Sequence, residues 1–223
     1  MTASDHAPNA DLAPYIDHTL LRPEACPAEI ETLCSEALDH GFKAVCVNPL
    51  HLPRVAARLS GSAVAPCAVI CFPFGADPTA IKAAEAEWVV KHGARQVDMV
   101  LPVGLLKAGE LAAVRDDIAG VRSACGTALL KVILETALLS DAEKEAACRL
   151  AQEAGADFVK TSTGFAGGGA TVEDIALMRR TIGPDMGVKA SGGVRTTADA
   201  RAMIAAGATR IGASFSIAIV EGR

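Results

Sequence analysis

The sequence predicts a single-domain (β/α)8 TIM barrel, an α/β fold, and three observations carry that prediction. Its 223 residues suit one such domain, because barrels exceed the usual domain length without splitting. A helix-to-strand junction recurs four times, at residues 38–47, 90–100, 152–160 and 204–214. Each is an amphipathic stretch that ends on Gly and runs into an apolar strand. The strands themselves are nearly continuous apolar runs, as parallel strands buried on both faces require.

Taken in order, residues 1–13 (MTASDHAPNADLA) lack an apolar run and are expected to form a flexible segment ahead of a barrel over 14–223. Strands are expected at 15–20, 43–47, 67–72, 96–101, 130–135, 157–162, 186–190 and 210–213. The first, over IDHTLL, is short and the most polar. Helix starts are signalled by Asp77-Pro78, which offers an N-cap followed by proline at the first helical position. Ser140 to Glu143 has capping-box spacing, and Thr171 and either Thr196 or Thr197 are further caps. No Gly-x-Gly-x-x-Gly follows the early strands, which counts against an open dinucleotide-binding sheet.

Composition narrows the function. Half of the residues are apolar and the net charge is −5, which excludes a basic nucleic-acid or membrane-binding surface but not one positive pocket for a small anion. The seven cysteines are scattered without a CxxC pair or a nearby histidine at ligand spacing. They are expected to be reduced core thiols of a cytoplasmic protein, with no metal site. The N-terminus lacks a signal-peptide core, and the apolar stretch from Ala63 to Phe74, broken by Pro66 and Pro73, is too short to span a bilayer.

Charges inside the strands point to chemistry. Side chains alternate along a strand, so Lys160 shares a face with Phe158 and Ser162, opposite Val159 and Thr161. If Val159 packs against the helices, Lys160 points into the barrel near its C-terminal end. The same parity turns Asp98, Lys131, Glu135 and Lys189 inward. Ionised groups are rarely buried without partners, and barrels carry their active sites on this face. The competing reading is an internal salt-bridge network that fills the barrel mouth. Two adjacent lysines oppose each other's protonation, so one can be a free amine that attacks an aldehyde and forms an iminium. That permits carbon–carbon cleavage without metal or cofactor.

Ser191-Gly192-Gly193-Val194-Arg195 after the seventh strand and Gly212-Ala213-Ser214 after the eighth lie where barrels commonly hold phosphate through backbone N–H groups. Read blandly, they are ordinary strand-to-helix turns. The Gly164–Gly169 loop is either a cover or a plain connection. His18 reads as a hydrogen-bonded structural residue, Cys46 as core, and Arg195 as a phosphate contact or a surface pair.

Together these motifs resemble the deoxyribose-phosphate aldolase family of lysine-dependent barrel enzymes. The matching segments are IDHTL (16–20), VCVNP (45–49), FPFG (72–75), VDMV (97–100), LKVILET (130–136), FVKTSTG (158–164) and VKASGGVR (188–195). They run in family order over nearly the whole chain. The resemblance implies reversible cleavage of 2-deoxyribose 5-phosphate to acetaldehyde and glyceraldehyde 3-phosphate, without a cofactor, by a homodimer or larger homo-oligomer. It assigns Lys160 as the Schiff-base lysine, Lys189 as the lysine that tunes it, and Asp98 as their proton-transfer partner. Lys131 and Asp17 are supporting charges, and Gly192, Gly193, Gly212 and Ser214 are phosphate-binding positions. Phe215 in place of a second serine, Pro102 in place of a polar residue, and the short end at Gly222-Arg223 depart from many relatives. The rival readings are a phosphosugar isomerase with a carboxylate base and a non-enzymatic metabolite-binding barrel. An isomerase would not need Lys160 and Lys189 together.

Overall fold

The computed structural model describes residues 9–222; residues 1–8, most of the segment expected to be flexible, and Arg223 lie outside the described residues. Packing begins ahead of residue 14. A 3-10 turn over Ala10–Tyr15 buries Leu12 and Ala13, and the Asn9 N–H donates to the Val220 carbonyl at 2.9 Å.

The first half of the chain gives β1 (Ile16–Leu20), α1 (Pro27–His40), β2 (Ala44–Val47), α2 (Leu52–Arg58) and β3 (Ala65–Ile70). Then follow α3 (Thr79–Lys91), β4 (Gln96–Val100), α4 (Val103–Lys107), α5 (Leu111–Ala124) and β5 (Leu129–Ile133). The last third gives α6 (Asp141–Glu153), β6 (Phe158–Lys160), α7 (Val172–Ile182) and β7 (Gly187–Ser191). It ends with α8 (Thr197–Ala205), β8 (Arg210–Ala213) and α9 (Ser216–Glu221). All eight strands are parallel, and β8 pairs with β1 to close the barrel, as the repeated junctions require.

Strand alternation sorts the side chains into two shells. Val45, Val97, Val132, Val159 and Val188 are fully buried in the layer between sheet and helices. The interior is divided. Ala44, Cys46, Ala65, Cys67 and Val69 form a small apolar cluster on β2 and β3. Asp17, Asp98, Lys131, Lys160 and Lys189 occupy the inward positions of β1 and β4 to β7.

Several element ends differ from expectation, each for a local reason. Strand β3 stops at Ile70 because Cys71 takes a left-handed backbone, φ 47°. Strand β6 ends at Lys160 rather than 162; the Thr161 N–H still donates to the Lys189 carbonyl at 3.1 Å, and beyond it the pairing with β7 passes to a side chain. Thr161 Oγ1 donates to the Ser191 carbonyl and accepts from the Ser191 N–H, both at 3.0 Å. Asp77 does not cap α3. Pro78 holds the N-cap position, and the Asp77 carboxylate accepts instead from the Cys71 thiol at 3.0 Å. The other caps stand as expected: Ser140 accepts from the Glu143 N–H in a reciprocal capping box, Thr171 from Asp174, and Thr196 rather than Thr197 from Asp199. Glycine ends α1 where the sequence places it, Gly41 adopting φ 66°. Among the described residues no helix is long and apolar enough to cross a membrane.

Candidate active site

The interior charges meet on two carboxylates. In the sheet register Asp98 faces Lys131 and Lys160 faces Lys189, while Lys160 stands opposite Ile133, two residues beyond Lys131; the side chains bridge that offset. Asp98 Oδ2 accepts from Lys160 Nζ at 2.9 Å and from Lys189 Nζ at 2.8 Å. Its other oxygen accepts from Lys131 Nζ at 2.6 Å. Asp17, on β1, accepts from Lys189 at 2.5 Å and from Arg210 at 2.7 Å. All are buried.

Burial is the largest single influence on these carboxyls and pushes each upward. The combined attraction of the surrounding cations overcomes it. Lys189, Lys131 and Arg210 hold Asp17, and Lys131, Lys160 and Lys189 hold Asp98, well below the ordinary carboxylate range. Burial likewise opposes the charge on Lys189, yet Asp17 and Asp98 lift its pKa well above the ordinary lysine value. Both carboxylates thus favour the ammonium form of Lys189. Lys160 has only the oxygen of Asp98 that it shares with Lys189.

Lys160 alone of the three lysines lines a cavity of about 340 Å³ at the C-terminal mouth of the barrel. The other walls include Thr19, Ser191, Gly192, Gly193, Gly212 and Ser214. All four residues expected to bind phosphate thus surround the same space as the expected nucleophile. Lys189, Asp98, Lys131 and Asp17 lie beneath its floor. Gly212 has a second reason to be glycine, because a Cβ there would lie 2.9 Å from Lys189 Cε and 3.2 Å from Ser191 Cβ.

Other expectations need correction. Glu135 does not join the lysines. It lies beyond the end of β5 with φ 59°, and its carboxylate accepts from the Thr163 hydroxyl at 2.5 Å and the Thr163 N–H at 3.2 Å. That bond steadies the segment leaving β6, where Thr163 Oγ1 also accepts from the Phe165 N–H. The Gly164–Gly169 loop is tied at its far end, the Ala170 N–H donating to the Gly192 carbonyl at 2.9 Å. Phe165 meets Phe72 edge-on at 5.4 Å. Pro102 opens α4 and does not line the cavity, whereas Phe215 does, with the Arg195 guanidinium 5.7 Å above its ring.

Sequence reasoning missed Arg210, Gln96 and Cys67, which complete the interior layer. Arg210 reaches Gln96 at 3.0 Å as well as Asp17. Cys67 lies between Asp98 Oδ1, at 3.3 Å, and Lys131 Nζ, at 3.4 Å. Cys46 is core, as expected, in the apolar cluster that borders this interior. Its sulfur, that of Cys67 and an Asp98 oxygen lie within 4.8 Å of one another. Lys131 and Lys189, both held as ammonium groups against Asp98, make that trio a poor cation site.

Comparison with known proteins places the chain in a family. The family model for DeoC/LacD family aldolases matches residues 12–221. The deoxyribose-phosphate aldolase of Rhodospirillum rubrum is 69% identical over 211 residues, 95% of this chain and 89% of that protein. The deoxyribose-phosphate aldolase of Brevibacillus brevis is 59% identical over 208 residues, 93% of this chain and 94% of that one. Among solved structures, the tetrameric deoxyribose-phosphate aldolase of Aeropyrum pernix superposes with a TM-score of 0.90 at 35% identity, covering 96% of this chain and 91% of its own. With nearly its full length matched, the chain belongs to the DeoC/LacD family of aldolases.

Proposed function

We propose that the chain is a 2-deoxy-D-ribose 5-phosphate aldolase that works through a Schiff base on Lys160. The observation that carries this reading is the meeting of Lys160 and Lys189 on one Asp98 oxygen, at the floor of a cavity walled by the glycine-rich loops after β7 and β8. The names of the R. rubrum and B. brevis relatives support the substrate.

The neutral Lys160 amine adds to C1 of the open-chain sugar, and loss of water gives an iminium. A base removes the C3 hydroxyl proton, C2–C3 breaks, and the bonding pair flows into the iminium to give an enamine. Glyceraldehyde 3-phosphate leaves. Protonation of the enamine at C2 and hydrolysis then release acetaldehyde and restore the amine, so the water lost at the start is returned. Lys189 and Asp98, with a water, exchange the protons at the carbinolamine and enamine stages. Lys131 and Asp17 keep that pair charged and placed. Backbone N–H groups of Gly192, Gly193 and Gly212, with the Ser214 hydroxyl, hold the C5 phosphate and so fix C1 against Lys160. The tetrameric A. pernix relative supports an assembly of identical chains here, and the scattered thiols support a reducing, cytoplasmic setting.

The direct test is cleavage of 2-deoxyribose 5-phosphate by the wild type and by Lys160→Leu. Asp98 retains Lys131 and Lys189 in the variant, so the variant is expected to fold with no detectable turnover. A folded variant with wild-type turnover would remove the covalent role.

A further inference from the structure

Behind the loop that follows β8, His18 joins three elements. It sits opposite Ala213 in the β1–β8 register, and strand alternation turns it away from the lysine cluster, out toward the helices. Its Nε2 lies 2.8 Å from Glu36 Oε2 on α1, and its Nδ1 lies 2.9 Å from Ser216 Oγ, the first residue of α9. Ser216 Oγ in turn lies 3.0 Å from the Ala213 carbonyl oxygen. His18 and Ser216 are both buried.

The tautomer follows from the partners. A carboxylate can only accept, so Nε2–H donates to Glu36. Burial, the main influence on the ring, favours the neutral form over the pull of Glu36, while His40 adds a small effect in the same direction as burial. Nδ1 therefore accepts from the Ser216 hydroxyl, which it shares with the Ala213 carbonyl. The remaining neighbour is the Phe42 ring, 5.1 Å away between centroids. Neither Glu36, His40 nor Phe42 lines the cavity.

What Ser216 closes is the short span through Ser214 and Phe215, both cavity walls. Fixing both ends of that span fixes where the Ser214 hydroxyl and the neighbouring amides point. We infer that His18 is a positioning residue for phosphate recognition: through Ser216 it sets the Ala213–Phe215 loop, and with it affinity for the substrate's phosphate, without touching the reacting carbons. This rests on the phosphosugar reading above.

Three variants separate the claim from a merely structural role. Asparagine places its amide near the Nδ1 position, so His18→Asn keeps a partner for Ser216. Glutamine reaches the Nε2 position, so His18→Gln keeps only the Glu36 contact. Ser216→Ala removes the link from the other side. For each, KM and kcat are measured with 2-deoxyribose 5-phosphate and with unphosphorylated 2-deoxyribose, and inorganic phosphate binding is measured by calorimetry. Loss of one hydrogen bond is expected to raise KM for the phosphorylated sugar and the phosphate Kd by roughly 2- to 10-fold in His18→Gln and Ser216→Ala. kcat/KM for 2-deoxyribose stays at the wild-type value, and His18→Asn stays near wild type with every ligand. Equal losses on both sugars, or unchanged phosphate binding in His18→Gln and Ser216→Ala, overturn the inference. A wild type that binds phosphate but cleaves neither sugar would instead overturn the aldolase reading, and the calorimetric arm would still decide the role of His18.

Discussion

Asp98 is the residue on which the chemistry turns, because one of its oxygens accepts from both Lys160 and Lys189. That sharing couples the lysines sterically as well as electrically, and Gly212 shows how tightly. A methyl at position 212 would press on Lys189 Cε from 2.9 Å, so Gly212→Ala is expected to displace Lys189 and lower kcat about 100-fold, the cost typical of an ångström's misplacement. Steady-state kinetics with a circular dichroism control checks this; unchanged kcat would mean that Lys189 has slack. Strand parity alone made Lys160, Lys189, Asp98 and Lys131 legible in the sequence, each a charge in an apolar run. Arg210 opens the eighth strand between Thr209 and Ile211, and as a single charge at the strand's first residue it drew no reading from the sequence. Glu135 misled for a different reason. Parity counting assumes an extended backbone, and its left-handed turn breaks the count.

At the scale of elements, the helices hold the strands at the level where these charges meet. Lys82 of α3 is wholly buried, donating to Asp117 of α5 at 2.8 Å and to the Val100 carbonyl at the end of β4 at 3.3 Å. Lys82→Met would leave the Asp117 carboxylate buried with only the Thr79 hydroxyl, at 2.7 Å. A loss of about 3–5 kcal/mol in urea unfolding is expected; a loss within the range of surface substitutions would show that water reaches Asp117. Ser140→Ala, by contrast, removes a capping box and is expected to cost about 1 kcal/mol, with activity unchanged. A cap of this kind is visible in sequence because its partners are three residues apart. The Lys82–Asp117 pair, and the reassignment of Asp77 from helix cap to the Cys71 thiol, depend on contacts between distant or loop residues, which no local pattern encodes.

For the whole molecule, the buried cluster ties stability to pH. The Asp17 and Asp98 carboxyls are held below their ordinary 3.8, so as pH falls past that value the unfolded chain takes up protons first and stability is lost. Lys131 and Lys189 are held above their ordinary 10.5. Their contribution is complete below that value and fades as pH rises beyond it. Unfolding free energy is therefore expected to drop on both sides of the window from 3.8 to 10.5; a rise on acidification below 3.8 would contradict the charge assignment. The closed barrel was readable from the repeated Gly-to-strand junctions, because each records one α-to-β step of a right-handed winding. Its divided interior was not. The apolar half on β2 and β3 looks, residue by residue, like any buried strand pair.

Borohydride reduction of the protein in the presence of acetaldehyde, followed by peptide mass spectrometry, tests the central claim most directly. The account predicts a two-carbon adduct on Lys160 and none on Lys131 or Lys189, whose ammonium groups are buried against Asp17 and Asp98. A folded, acetaldehyde-treated protein without an adduct at Lys160, or with the adduct on another of the three lysines, would contradict it.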